Sequence, residues 1–209
     1  MQQKYEVIRL IKQNAGCHVV TDYVQGEILV FYLRNHPQIK KEELLSFLRQ
    51  IIRQLDNIQH VRGMNGYGCV TPYCIVVGKD KNIAFLDLRA ESNASVVRKM
   101  GQPAVRRLFF PEEESEDDFY PLGKTIQFLF AHTKMQPELT KRETYRFQKI
   151  ISKCLKEHSR KSYQNISDIL KEFPKRKEKR EKNTSDCCLD SCGSGSHAYS
   201  NGRKDKKSR

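Results

Sequence analysis

The 209-residue sequence contains no run of apolar residues long enough to cross a bilayer, and its first residues, MQQKYEVIRL, lack the apolar stretch of a signal peptide. A cytoplasmic protein is expected. No C-x-x-C pair occurs, so a structural zinc site of the usual paired spacing is excluded. No G-x-G-x-x-G occurs either, which removes one common way of holding phosphate. The seven cysteines are an odd number, and Cys17, Cys69, Cys74 and Cys154 are scattered through patterned segments, as expected of free thiols that fill space. Only Cys187, Cys188 and Cys192 cluster, with His197 nearby. Their spacing does not match a structural site, so no metal is assigned and their role stays open.

What is present suits one folded domain and a tail. Hydrophobic residues make up 38% of the chain and charged residues 30%, enough to bury a single core. The formal charge is +13, and about half of it falls in residues 174–209, with eleven Lys or Arg against five Asp or Glu. KRKEKREK and the Ser, Gly and Asn-rich stretch after it cannot bury enough apolar surface to order themselves. Such a tail attracts anionic surfaces without choosing among them, and the attraction weakens with salt.

Three strand-like runs open the chain: Lys4 to Ile11, Cys17 to Val24 and Glu27 to Leu33. Short connections between them predict an antiparallel meander, with Lys12 an exposed lysine at a strand end. From about Lys40 to His60 the period changes to three and four, through Leu44, Leu45, Leu48, Ile51, Ile52, Leu55 and Ile58, which predicts a core helix. Gly63 to Gly68 follows a helix and enters a strand. Phosphate loops leave a strand and open a helix, so this stretch is read as a flexible connection. Cys74 to Val77 and Ile83 to Leu88, joined by GKDKN, predict a hairpin.

Beyond Arg89 the periodicity is weak. Arg98, Lys99, Arg106 and Arg107 precede the acidic run from Glu112 to Asp118, so opposite charges lie close in sequence; such runs are usually solvated, and pairing across a loop is the alternative. A helix is predicted from about Lys141 to His158, with Phe147, Ile150, Ile151, Cys154 and Leu155 on one face and Thr140 and Glu143 as a capping box. A last helix, Ser162 to Phe173, carries Ile166, Ile169, Leu170 and Phe173.

Several of these stretches together resemble a protein kinase. Y-G-C-V-T-P-Y-C (Tyr67 to Cys74) lies over the catalytic loop H-R-D-L-x-P-x-N with Pro72 in register, and Asp87-Leu88-Arg89 falls where Asp-Phe-Gly would, about thirteen residues past the Asn position. Asp118, Tyr120, Leu122 and Gly123 match the S-D-x-Y-S-L-G helix, and Lys149 to Phe173 is similar to the closing segment of bacterial kinase domains. Gly101 to Ala104 and Pro111-Glu112 follow an activation segment in outline.

The resemblance implies an α+β, kinase-like fold: strands of a reduced N-terminal lobe at 1–36, a mainly helical C-terminal lobe at 37–173, and the tail. It also implies a brace from Asp118 to the loop backbone. The catalytic letters depart from the pattern. Cys69 replaces the catalytic aspartate, Cys74 the metal-binding asparagine, Tyr67 and Gly68 the His-Arg pair, and Thr71 the loop lysine. No lysine–glutamate pair is in evidence, and Ser162 replaces the arginine that pairs with the Pro-Glu glutamate. Only Asp87 remains as a ligand for Mg²⁺ or nucleotide, and a thiol is a poor ligand for that hard ion.

The reading is therefore of a bacterial pseudokinase that acts as a protein-binding scaffold, with no cofactor and no catalytic residue. It is similar to the reduced kinase-like modules of type VII secretion systems, and its tail would tether it to an anionic membrane or an acidic partner. Two alternatives stand beside it: a divergent serine/threonine kinase that binds ATP and Mg²⁺ through Asp87, and weak binding of nucleic acid or another anionic surface through the tail. Cys69 is also weighed as a nucleophile, with His60 the nearest histidine in sequence, against a packed thiol.

Overall fold

The computed structural model describes residues 3–13, 16–61, 66–111, 117–156 and 162–174, all within one compact unit, Met1–Lys175. The basic tail with its cysteine cluster, the acidic residues 112–116 and residues 63–65 lie outside the described residues.

Two long strands, β1 (Gln3–Gln13) and β2 (Gly16–Ile28), pair antiparallel along their whole length. Lys12 lies near the end of β1, its side chain outside the described residues. The third strand expected at Glu27 to Leu33 is not formed. Glu27 and Ile28 end β2, and Leu29–Asn35 is a helix, α1. Every residue from Ile28 to Leu33 is apolar, so a strand and a helix are equally compatible with the letters. Packing decides: Leu29 and Leu33, one turn apart, are buried in the main core, and the Tyr32 hydroxyl donates to Glu43 at 2.7 Å. A first-turn amide, Val30 N, donates to Pro72 O at 3.2 Å, which ties α1 to the loop before the central hairpin.

The place beside β2 is taken instead by β4 (Ile75–Gly78), which in turn pairs with β5 (Ile83–Phe85), giving the sheet order β1-β2-β4-β5. Gly26 permits the close approach of β2 to β4, because a Cβ there would lie 2.3 Å from Val77 O. Just past β5, Leu86 bridges back to Val7 of β1, and Asp87 N donates to Glu6 O at 2.9 Å. The sheet thus curls around a small second core of Tyr5, Val7, Ile28, Val76 and Leu86. The strands expected as an N-terminal cap therefore share a sheet with the central hairpin.

The main core forms around α2 (Lys41–Gln59), whose Leu44, Leu48, Ile51, Ile52 and Leu55 are fully buried. A two-stranded parallel pair, β3 (Gln38–Lys40) with β6 (Lys134–Gln136), lies outside the sheet and has no counterpart in the sequence reading. The weakly periodic segment after Arg89 contains a 3₁₀ turn at Glu91–Asn93 and two short helices, α3 (Ala94–Met100) and α4 (Pro103–Phe109). Among the described residues the architecture is α+β, with seven α-helices and a small antiparallel sheet.

Helix α5 (Phe119–Ala131) buries Leu122, Ile126 and Leu129. Gly123 lets it approach α6 (Lys141–Cys154) closely, since a Cβ would come 2.9 Å from Cys154 Cβ and 3.0 Å from Leu155 Cδ2. The predicted capping box is formed: Glu143 N donates to Thr140 Oγ1 at 3.3 Å, and Thr140 N donates to Glu143 Oε2 at 2.8 Å. α6 ends at Cys154 rather than His158, with Lys156 in the left-handed region at φ 56°. α7 (Ile166–Glu172) begins after Asn165 rather than at Ser162.

Candidate functional site

The residues that carry chemistry in the sequence lie on the loop from Gly66 to Cys74 and just past β5; Tyr67, Thr71 and Cys74 are buried, whereas the hydrogen bonds of the Asp87 carboxylate are exposed. Asp118, fully buried just before α5, receives Tyr67 N on Oδ2 and Gly68 N on Oδ1, both at 2.7 Å. The contact expected between this carboxylate and the loop backbone is made. Gly66 and Gly68 have φ of 130° and 76°, and a Cβ on Gly66 would lie 2.6 Å from Asp118 Oδ2. The glycines read as a flexible connection are, at these two positions, what lets the backbone reach the carboxylate. Burial pushes the Asp118 pKa above its ordinary value, and the two amide donors oppose that without overcoming it.

Tyr67 is buried, its ring tilted against Phe85 at 4.6 Å, and its hydroxyl donates to Leu86 O at 2.9 Å. Burial, then the neighbouring thiols of Cys74 and Cys69, push its pKa up. Thr125, also fully buried, donates to Val70 O at 2.8 Å and supports the next peptide of the loop from α5. The sequence held no signal for this contact. Pro72 contributes its carbonyl to the start of α1, as described above.

The second half of the loop winds around the Cys74 thiol. Thr71 N donates to Cys74 Sγ at 3.1 Å, and Cys74 Sγ lies 2.6 Å from Cys69 O and 2.9 Å from Thr71 O. Cys74 is fully buried; burial and the adjacent Cys69 raise its pKa well above the ordinary thiol value. Cys69 is half-buried, and its Sγ is 3.9 Å from Met100 Sδ at the end of α3. The adjacent Cys74 thiol lowers its pKa, aided by Arg106 and opposed by burial and Asp118. His60, weighed as an activating base, has Nδ1 2.6 Å from Asp56 O in its own helix.

Asp87 sits where β1, β5 and the 3₁₀ turn meet, and both of its carboxylate oxygens have partners. Oδ2 accepts from Thr21 Oγ1 at 2.6 Å and Oδ1 from Arg89 N at 3.0 Å. Asn93, itself fully buried, donates through Nδ2 to Asp87 O at 2.8 Å and to Glu6 O at 2.7 Å. Thr21 and Asn93 were not legible as site residues, because Thr21 is 66 positions from Asp87. Asp87 here is a joint that fastens the hairpin to the central strands.

A cavity of about 730 Å³ opens elsewhere, between the hairpin, α2 and the β4–β5 turn, lined in part by Ile8, Leu10, Val24, Asn57, Ile58 and Asn82. Asp87, Cys69 and Cys74 do not line it. Among the described residues no three His, Cys, Asp or Glu side chains gather as a metal site, and no helix is long and apolar enough to cross a membrane. The alternative pairing of Arg98, Lys99, Arg106 and Arg107 with the acidic run falls on residues 112–116 and lies outside the described residues, as does Glu112 opposite Ser162; Asp117 pairs with Lys156 at 2.7 Å. Compared with known proteins, the sequence matches no family model and no curated protein.

Proposed function

We propose that the chain is a kinase-like domain without catalytic function, a pseudokinase that serves as a protein-binding scaffold. The observation that carries this reading is the state of Asp87. Phosphoryl transfer needs metal ligands, a base for the hydroxyl and a lysine on the phosphates. The one carboxylate left at a matching position already accepts from Thr21 and Arg89 N. The Cys74 thiol, at the position of the second metal ligand, is buried against the loop backbone. The brace from Asp118 to Tyr67 and Gly68 supports the same reading, because it keeps the loop's shape while the groups that would hold ATP are absent. The partner-binding role rests on that retained architecture, with the basic tail as a tether to an anionic membrane surface or an acidic partner.

A thermal melt of the full chain with Mg²⁺ and increasing ATP tests this. Ligand at a hundred times its Kd would add about 2.7 kcal/mol, a rise of roughly 5–10 °C for a domain of this size. The scaffold reading expects no saturable rise. A rise that saturates and disappears in Asp87→Ala would show nucleotide binding through Asp87 and overturn the scaffold-only reading.

A further inference from the structure

Cys69 and Cys74 are five positions apart, yet the loop between them folds the second back onto the first. Two tight turns do this: Thr71 N donates to Cys69 O at 3.0 Å, and Cys74 N donates to Thr71 O at 3.1 Å. As a result Cys74 Sγ lies 2.6 Å from the Cys69 carbonyl oxygen, so the second cysteine packs directly against the backbone of the first. Their surroundings differ. Cys69 is half-buried at the edge of α3, whereas Cys74 has no exposed surface. Thus one cysteine is partly exposed, and the other is sealed against its backbone.

We propose that Cys69 and Cys74 form a hydroperoxide-sensitive dithiol, in which Cys69 is the attacking sulfur and Cys74 the resolving one, and that oxidation closes a disulfide within the loop. In the first step the Cys69 thiolate attacks one peroxide oxygen, the O–O bond breaks, and the departing hydroxide takes up the proton that Cys69 had lost, leaving as water. Cys69 is then a sulfenic acid. In the second step Cys74 attacks the Cys69 sulfur, the S–S bond forms as the S–O bond breaks, and the Cys74 proton leaves with the hydroxide as a second water. Two thiols lose two electrons to one hydrogen peroxide, and no other reactant is needed.

The electrostatics divide the roles in the same sense. The adjacent Cys74 thiol, with Arg106 nearby, favours the thiolate at Cys69, and a lowered pKa together with partial exposure is what makes a thiol reactive. Burial keeps Cys74 protonated until its partner has been oxidised. Cys154 supplies the contrast: it is fully buried, and burial raises its pKa to about 12.

The test is oxidation of the full chain with dilute hydrogen peroxide, followed by blocking of remaining thiols and peptide mass analysis without reduction. Trypsin releases both cysteines in one fragment, residues 63–79, because no Lys or Arg intervenes after Arg62. The expected product is that fragment short of two hydrogens, with Cys154 still blocked as a thiol. Before oxidation, Cys69 should alkylate at least about tenfold faster than Cys154. Cys69→Ser should leave Cys74 as unreactive as Cys154, and Cys74→Ser should leave Cys69 as a sulfenic acid that dimedone traps. Retention of two free thiols in residues 63–79 at a dose that oxidises other cysteines would overturn the proposal. So would a bridge from Cys69 to any cysteine other than Cys74. Cys69→Ser alters only a half-buried side chain, so its result decides the matter even if Cys74→Ser does not fold.

Discussion

Replacing Asp118 with Ala should destabilise the protein by about 3 kcal/mol. The carboxylate is fully buried and accepts two backbone hydrogen bonds of 2.7 Å, from Tyr67 and Gly68. Each amide left without a partner costs about 1–3 kcal/mol, and Tyr67 N has no water to turn to, because the residue is buried. Against that loss stands a gain. The raised pKa of Asp118 shows that ionising it in the folded state is itself unfavourable, so removing the carboxylate relieves part of the penalty. The balance is a loss smaller than two full orphaned donors and larger than a surface mutation.

Asp118→Asn keeps one acceptor and turns an NH₂ toward the other amide, so it should lose about half as much. Urea unfolding of the three proteins measures these differences directly. The sign of the pH dependence is a second check. A carboxyl whose folded pKa is raised contributes less stability once pH has risen through its titration, so the wild type should lose a small increment there that Asp118→Asn lacks. A change of less than about 0.5 kcal/mol in Asp118→Ala would refute the account of the loop as held by this brace.

Three further outcomes follow from packing and charge. Gly123→Ala should cost about 1–3 kcal/mol in urea unfolding, because its methyl group would press on Cys154 and Leu155 at 2.9–3.0 Å. Thr140→Ala should cost about 1 kcal/mol and lower the melting temperature, by deleting the side-chain half of the α6 capping box. Glu172 pairs with Lys153 and with Lys149 at 3.5 Å; burial pushes its pKa up, but the two lysines outweigh this and hold it below the ordinary 4.5. Its contribution is therefore present above pH 4.5 and lost as pH falls below that value, so Glu172→Gln should flatten the acid limb of a stability–pH curve and cost about 1 kcal/mol at neutral pH.

The parts of the fold that were legible in the sequence are those where local pattern and packing agree. α2 repeats its apolar residues over nineteen positions, and Thr140 and Glu143 fix the start of α6 by their own side chains. Glu27 to Leu33 misled because an unbroken apolar run has no period; what makes Leu29–Asn35 a helix is contact with α2 and with Pro72, distant in sequence. The three-residue strands β3 and β6 are too short to carry a pattern. Within the site, the contact of Asp118 with the loop was foreseen from motif resemblance. The clasp on Asp87 was not, because Thr21 and Asn93 are ordinary strand and turn residues until the hairpin folds back on the central strands.

The proposal that this loop does not serve a nucleotide is tested most directly by titration calorimetry of the full chain with ATP in excess Mg²⁺. The account predicts no heat of binding beyond dilution at millimolar nucleotide. A saturable isotherm with one site per chain, abolished in Asp87→Ala while the variant keeps its fold, would contradict it.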